Sequence, residues 1–148
     1  MAMKYGDSEL DAIVKEHFTQ AVARTGFELR RLDQNQPAGL IDDQLRVQIR
    51  TARFLVCDLT HGNRGAYWEA GFAEGLGRPV IYTCREDVFN DSANENRPHF
   101  DTNHFVTVLW RQDAPHLAAQ RLVDTVRATL PTEAILEDVS SGHENRDS

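Results

Sequence analysis

The sequence predicts a single three-layer α/β domain, with a mainly parallel sheet of about five strands and helices on both faces. Three observations carry this. Helical and strand patterns alternate along the chain, the order that builds a parallel sheet covered by crossover helices. The runs RFLVC (Arg53 to Cys57) and PVIY (Pro79 to Tyr82) are short, continuous and apolar, as strands buried on both faces must be. The length of 148 residues, 41% hydrophobic and 26% charged, suits one soluble globule with a good core.

Asp7 or Ser8 caps a first helix that runs to about Ala23, with Leu10, Ile13, Val14, Phe18, Ala21 and Val22 on one face. Gly26 closes it, and Phe27 to Leu32 follows as a strand. Asp33 to Gly39 is a polar loop containing Pro37, after which Ile41, Leu45 and Ile49 stripe a second helix at helical spacing. The strand RFLVC then ends at Asp58. His61, Gly62, Asn63, Arg64 and Gly65 form a breaker-rich loop, and Ala66 to Leu76 reads as a helix closed by Gly77, Arg78 and Pro79. After PVIY, the polar stretch Arg85 to Pro98 is too long for an ordinary connector and reads as a lid or an interface loop. Phe105 to Trp110 is the next strand, Pro115 to Leu130 the final helix, and the residues from Pro131 an acidic, Ser-rich, flexible tail.

Asp58 stands where open α/β sheets bind ligands, at the carboxyl end of a strand. Glu69 falls in the first turn of the next helix, where unpaired N–H groups and the dipole favour an ionised carboxylate. Asn63 serves either as helix cap or as ligand contact, and Gly62 and Gly65 allow a ligand to approach backbone N–H groups. His61 is a candidate proton donor or an exposed loop histidine. Tyr67 and Trp68 flank Glu69, with stacking on a base, core packing or a dimer contact as their readings. His99, Asp101 and His104 offer three possible ligands but lie on an irregular segment without a clear fourth, so no metal site is expected.

Sixteen Lys and Arg against 23 Asp and Glu give a net charge of −7, which argues against nucleic acid or an anionic membrane and for a small ligand. No signal-peptide core or long apolar run occurs. Cys57 and Cys84 lie in or beside buried strands and read as reduced, cytoplasmic thiols, with a disulfide conceivable only if their strands adjoin.

The letters Asn63, Gly65, Ala66, Glu69, Ala70, Gly71 and Ala73, followed by Gly77, Arg78, Pro79, Val80 and Ile81, resemble the motif of the nucleoside 2-deoxyribosyltransferase-like family. That motif is roughly D-x-G-T-x-x-E-L-G-x-A, then G-K-P-V-I, after a strand closed by Asp. The segment RPHFDTNHFVTVLW, Arg97 to Trp110, is similar to the stretch entering the last strand of these proteins and of Toll/interleukin-1 receptor-like domains. The resemblance implies a flavodoxin/Rossmann-like domain over residues 1–130, before the 131–148 tail. It implies that Glu69 attacks the anomeric carbon of a nucleoside and that Asp58 positions sugar and base. Substrate contacts would come from Asn63, Gly65, His61, Gly6 and Asp7, with no cofactor. Related domains hydrolyse NAD or sense nucleotides, so the expected activity is cleavage or transfer at the N-glycosidic bond of a nucleoside, nucleotide or NAD-like ligand. A non-catalytic module binding such a ligand is the alternative, since Asn63 replaces the family's usual second aspartate and Ala66 its threonine. Such proteins commonly complete each site with a neighbouring subunit, so a homodimer or larger homo-oligomer is expected, with Tyr67, Trp68 and Trp110 as exposed aromatics. The first strand of this fold is central, yet only Met1, Ala2 and Met3 precede Lys4, so either the strand is short or the sequence begins within it.

Overall fold

The computed structural model describes residues 1–32, 41–98 and 106–139. Its regular sheet has three parallel strands, β1 Leu55–Asp58, β2 Val80–Arg85 and β3 Thr107–Trp110, in that order. Three replace the expected five because the two N-terminal segments make too few rungs to count as strands. The 1–3 segment meets β1 in one parallel bridge, with Ala2 N–H donating to Val56 O at 2.8 Å and Asp58 N–H donating to Ala2 O at 2.9 Å. Residues 27–32, expected as a strand, bond to Met1 in the pattern of a single rung: Leu32 N–H donates to Met1 O at 3.2 Å and the Met1 amino group to Arg30 O. The spatial order is thus 27–32, 1–3, β1, β2, β3.

The first helical run comprises α1 Ser8–Ile13, a π-turn Val14–Phe18 and α2 Thr19–Arg24 without a break. Asp7 is its cap, accepting from Leu10 N–H at 2.9 Å. The π-turn holds one residue more per hydrogen-bonded loop than an α-turn, and all six apolar residues expected on one face are buried. The other helices are α3 Ile41–Thr51, α4 Arg64–Gly75, α5 Glu86–Asn90 and α6 Pro115–Thr129. At the end of α4, Gly77 adopts φ 75° while its N–H donates to Glu74 O and that of Arg78 to Ala73 O, both at 2.9 Å. These paired bonds satisfy carbonyls that the helix would otherwise leave open.

Two apolar clusters lie on the two faces of the sheet. Val56, Ile81, Val108 and Trp110 pack with Leu10, Phe18 and Val22 of the first helical run and with Leu122, Val123 and Val126 of α6. Leu55, Cys57, Tyr82 and Cys84 pack with Ile49 of α3 and with Ala66, Ala70 and Ala73 of α4. Trp110, expected among the exposed aromatics, is 1% exposed, because alternation along β3 turns it inward; Trp68 is 45% exposed.

Residues 131–139 differ from the flexible tail expected. Ile135 N–H donates to Thr25 O at 2.9 Å, and Asp138 binds Arg24 at 2.7 Å and Arg127 at 3.0 Å. These two guanidiniums hold the Asp138 carboxyl down at about 2. Residues 140–148, and the His99, Asp101, His104 group, lie outside the described residues. No helix among the described residues is long and apolar enough to cross a membrane.

Candidate functional site

The 1–3 segment and β1 run parallel, but the chain leaves the first toward the 27–32 side of the sheet and the second toward the β2 side, so the loops at their carboxyl ends part there, where open α/β sheets form a ligand crevice. Gly6, at φ 80°, turns the first loop and Gly62, at φ 59°, turns the second. Asp7 and His61 meet across the crevice, with Nε2 3.1 Å from Oδ2. The Leu10 N–H is the main group holding the Asp7 carboxyl below its ordinary range, and His61 adds to it. His61 has a side chain only 16% exposed, and its Nδ1 has no partner among the described residues.

Asn63 caps α4, its Oδ1 accepting from Ala66 N–H at 3.0 Å. Gly65 therefore lies inside the first helical turn, where a Cβ would stand 3.1 Å from that same Oδ1. Because the cap starts the helix at Arg64, the first turn contains no acid and Glu69 sits in the second turn. This corrects the expectation that a helix start keeps Glu69 ionised: the dipole falls off within one turn. Burial dominates instead, lifting the Glu69 carboxyl from 4.5 to about 7, against the opposing charge of the Met1 amino group.

Asp58 is 2% exposed, and all its acceptor contacts are within the protein. Oδ1 accepts from Thr60 N–H at 3.0 Å; Oδ2 accepts from Thr83 Oγ1 at 2.7 Å and Trp110 Nε1 at 2.9 Å. Burial raises its pKa, and these donors oppose the rise. Thr60 in turn accepts from Arg85 N–H at 2.9 Å, so the ends of all three strands are tied at one carboxylate. Strand alternation places Asp58, like Val56, on the face covered by the first helical run and α6, whereas α4 and Glu69 cover the other face. The two carboxylates read from sequence as one site thus belong to elements on opposite faces of the sheet.

The 85–98 segment begins with α5, anchored by buried Val88 and half-buried Phe89, and then turns back over the crevice. Asn96 reaches Gly62 so closely that a Cβ on the glycine would stand 2.9 Å from Asn96 Oδ1. Gly62→Ala is accordingly expected to cost about 1–2 kcal/mol through the left-handed backbone alone. Urea unfolding measures it, and an unchanged midpoint would mean that the loop relaxes without penalty.

Arg85 and Arg111 are site-edge residues that sequence reasoning missed. Arg85 bonds Glu9 at 3.3 Å and Asp87 at 2.6 Å; Arg111 bonds Asp113 at 2.6 Å and approaches Glu86 at 3.6 Å. With Asn90 they line an open cleft of about 880 Å³. The available signal was an arginine at the end of each apolar run, after YTC and after VLW. Cys57 and Cys84 lie on adjacent strands as free, buried thiols, and burial pushes Cys84 up to about 12. No cluster of His, Cys, Asp and Glu able to hold a metal occurs among the described residues. Comparisons with protein-family models, curated proteins and solved structures find no match to the chain.

Proposed function

We propose that the protein cleaves or transfers at the N-glycosidic bond of a nucleoside, nucleotide or NAD-like ligand, with Glu69 as nucleophile. One observation carries this reading. The carboxylates of Asp7, Asp58 and Asp138 are all engaged by protein donors, whereas half-buried Glu69 has neither hydrogen bond nor ion pair among the described residues and is lifted to about 7. An acid kept desolvated and unpaired costs stability, and function is the ordinary reason for such a cost. The motif around Glu69 supports the same assignment.

In the reaction, a Glu69 oxygen bonds to the anomeric carbon as the base leaves with the electron pair of the C–N bond and takes a proton from solvent. Water, or a second base, then displaces Glu69 and returns it as a free carboxylate. The nucleophile must be ionised, so kcat/KM for base release is expected to rise with pH through about 7 and level off above it. The test is chromatography of deoxynucleosides, nucleoside monophosphates and NAD incubated with the protein at pH 5 to 9. Release that falls with pH over this range would remove Glu69 as nucleophile.

A binding module is the second reading, and the position of Asp58 favours it. With that carboxylate on the other face and held by Thr60, Thr83 and Trp110, Asp58 is not placed to orient a sugar for Glu69. Calorimetric binding of a compound from the panel, with no base released from any, would decide for it.

A further inference from the structure

The helix α4 turns opposite sides to two environments. Ala66, Ala70 and Ala73 pack on the sheet, while Trp68, Gly71, Phe72, Gly75 and Leu76 recur at helical spacing on its outer side, a stripe without a charge or a hydroxyl. Trp68 and Leu76 are exposed, and Val47, exposed on α3 alongside, widens the face. The outer side of a surface helix ordinarily carries polar residues, and a helix apolar on both sides ordinarily has a neighbour on each. The two glycines have no internal reason to be there. Neither takes a left-handed φ, and a Cβ on either would meet nothing within 4 Å, although glycine is the poorest helix former after proline. Their bare backbone is instead what lets a second backbone come close.

The border of this face carries a sign. Arg46 and Arg50 of α3 lay their guanidiniums over the Trp68 and Phe72 rings, 5.6 and 5.8 Å from the centroids, and the two rings stack at 5.5 Å. Arg78 joins them by donating to Arg50 O at 2.6 Å, and Arg64 stands exposed one turn before Trp68. Against these four cations stand Asp43, which pairs with Arg46 at 3.3 Å, and Glu74, which accepts from the Tyr82 hydroxyl. In a chain of net charge −7, an apolar stripe is thus bordered by local positive charge. We propose that the α3–α4 face docks an amphipathic helix of a partner polypeptide, whose apolar side covers Trp68, Phe72 and Leu76 and whose flanking Asp and Glu residues meet the arginines. A helix suits the stripe because its own apolar anchors recur at the same spacing, and the glycines let it lie close against α4. A second copy meeting through the same face would set arginine against arginine. An anionic membrane, being a plane, would face the acidic remainder of the chain as well, whereas a single helix meets the border alone. This surface does not rest on the chemistry assigned to Glu69.

The test uses the full chain and the fluorescein-labelled peptide Glu-Leu-Ala-Glu-Leu-Leu-Glu-Ala-Leu-Glu-Ala-Leu-Leu-Glu, with the same peptide bearing Lys for every Glu as control. Polarisation is expected to show saturable binding of the acidic peptide, about tenfold or more tighter than the control and about tenfold weaker in about 0.5 M than in about 0.05 M salt. Gly71→Leu combined with Gly75→Leu fills the approach with side chains. Peptide affinity is then expected to fall about tenfold or more while the urea midpoint holds or rises, because leucine favours the helix and has room. Arg50→Gln combined with Arg64→Gln is expected to remove most of the salt dependence. No binding at millimolar acidic peptide, equal affinity for the two peptides, or full affinity of the double-leucine variant would overturn the proposal. If circular dichroism shows that variant unfolded, the arginine pair decides, and undiminished salt dependence there would overturn it. Cosedimentation with phosphatidylglycerol vesicles that the peptide does not displace would overturn it in favour of a membrane. Light scattering showing a dimer that the double-leucine variant loses and the peptide does not dissociate would overturn it in favour of a second copy.

Discussion

Glu69→Gln is expected to lower base release by about a thousandfold or more and to make the fold more stable at pH 8. The two effects have one origin. Burial raises the folded-state pKa from 4.5 to about 7, so Glu69 favours the fold in its protonated form. That contribution is fully present below about pH 4.5 and is lost as pH rises through about 7. At pH 8 the native protein therefore holds an ionised acid in a site that disfavours it, at a cost of about 1–3 kcal/mol, which the neutral amide avoids. Urea midpoints and base-release rates at pH 5 and pH 8 measure both. Equal activity in the variant would exclude the nucleophile. A midpoint difference of the same size at both pH values would exclude the ionisation argument.

Asp58→Ala is expected to destabilise the protein by about 3–5 kcal/mol, since each buried donor left without an acceptor costs about 1–3 kcal/mol and three are left at once, less what local relaxation recovers. It strands Thr83 Oγ1, Trp110 Nε1 and Thr60 N–H together, at the point where all three strand ends meet. Asp58→Asn is expected to cost less, about 1–3 kcal/mol. Its single carbonyl can still serve Thr83 and Trp110, while its amide nitrogen faces the Thr60 N–H donor. Chemical denaturation monitored by circular dichroism gives both values. An alanine variant as stable as the parent would show that the three donors find water, and that Asp58 does not bind the strand ends together.

The strand ending at Asp58 was legible because a buried parallel strand is a continuous apolar run. That same continuity hid which face each residue takes: with no polar alternation, the run does not say that Val56 and Asp58 share one side and Cys57 the other. Hence Asp58 and Glu69 looked like partners. The α4 start was misplaced by two residues because Ala66 opens the apolar pattern, whereas the structure sets the start by the Asn63 cap. Gly6, Asp7 and His61 were each singled out, but no local pattern could pair residues 54 apart in the chain. The 27–32 run has strand composition, yet pairing also requires a neighbour of matching length, and Met1 supplies one rung.

The closing of the first helical run against α6 has a consequence for synthesis. The cluster on that face joins residues 10–22 to residues 118–126, so the first helical run meets its apolar partner only once α6 has been made. Until then Leu10, Ile13, Phe18 and Val22 have β1 and β2 to cover part of them and nothing to cover the rest. A chain halted before Pro115 therefore lacks the element that covers this face, and its first helical run is expected to keep apolar surface open to chaperones.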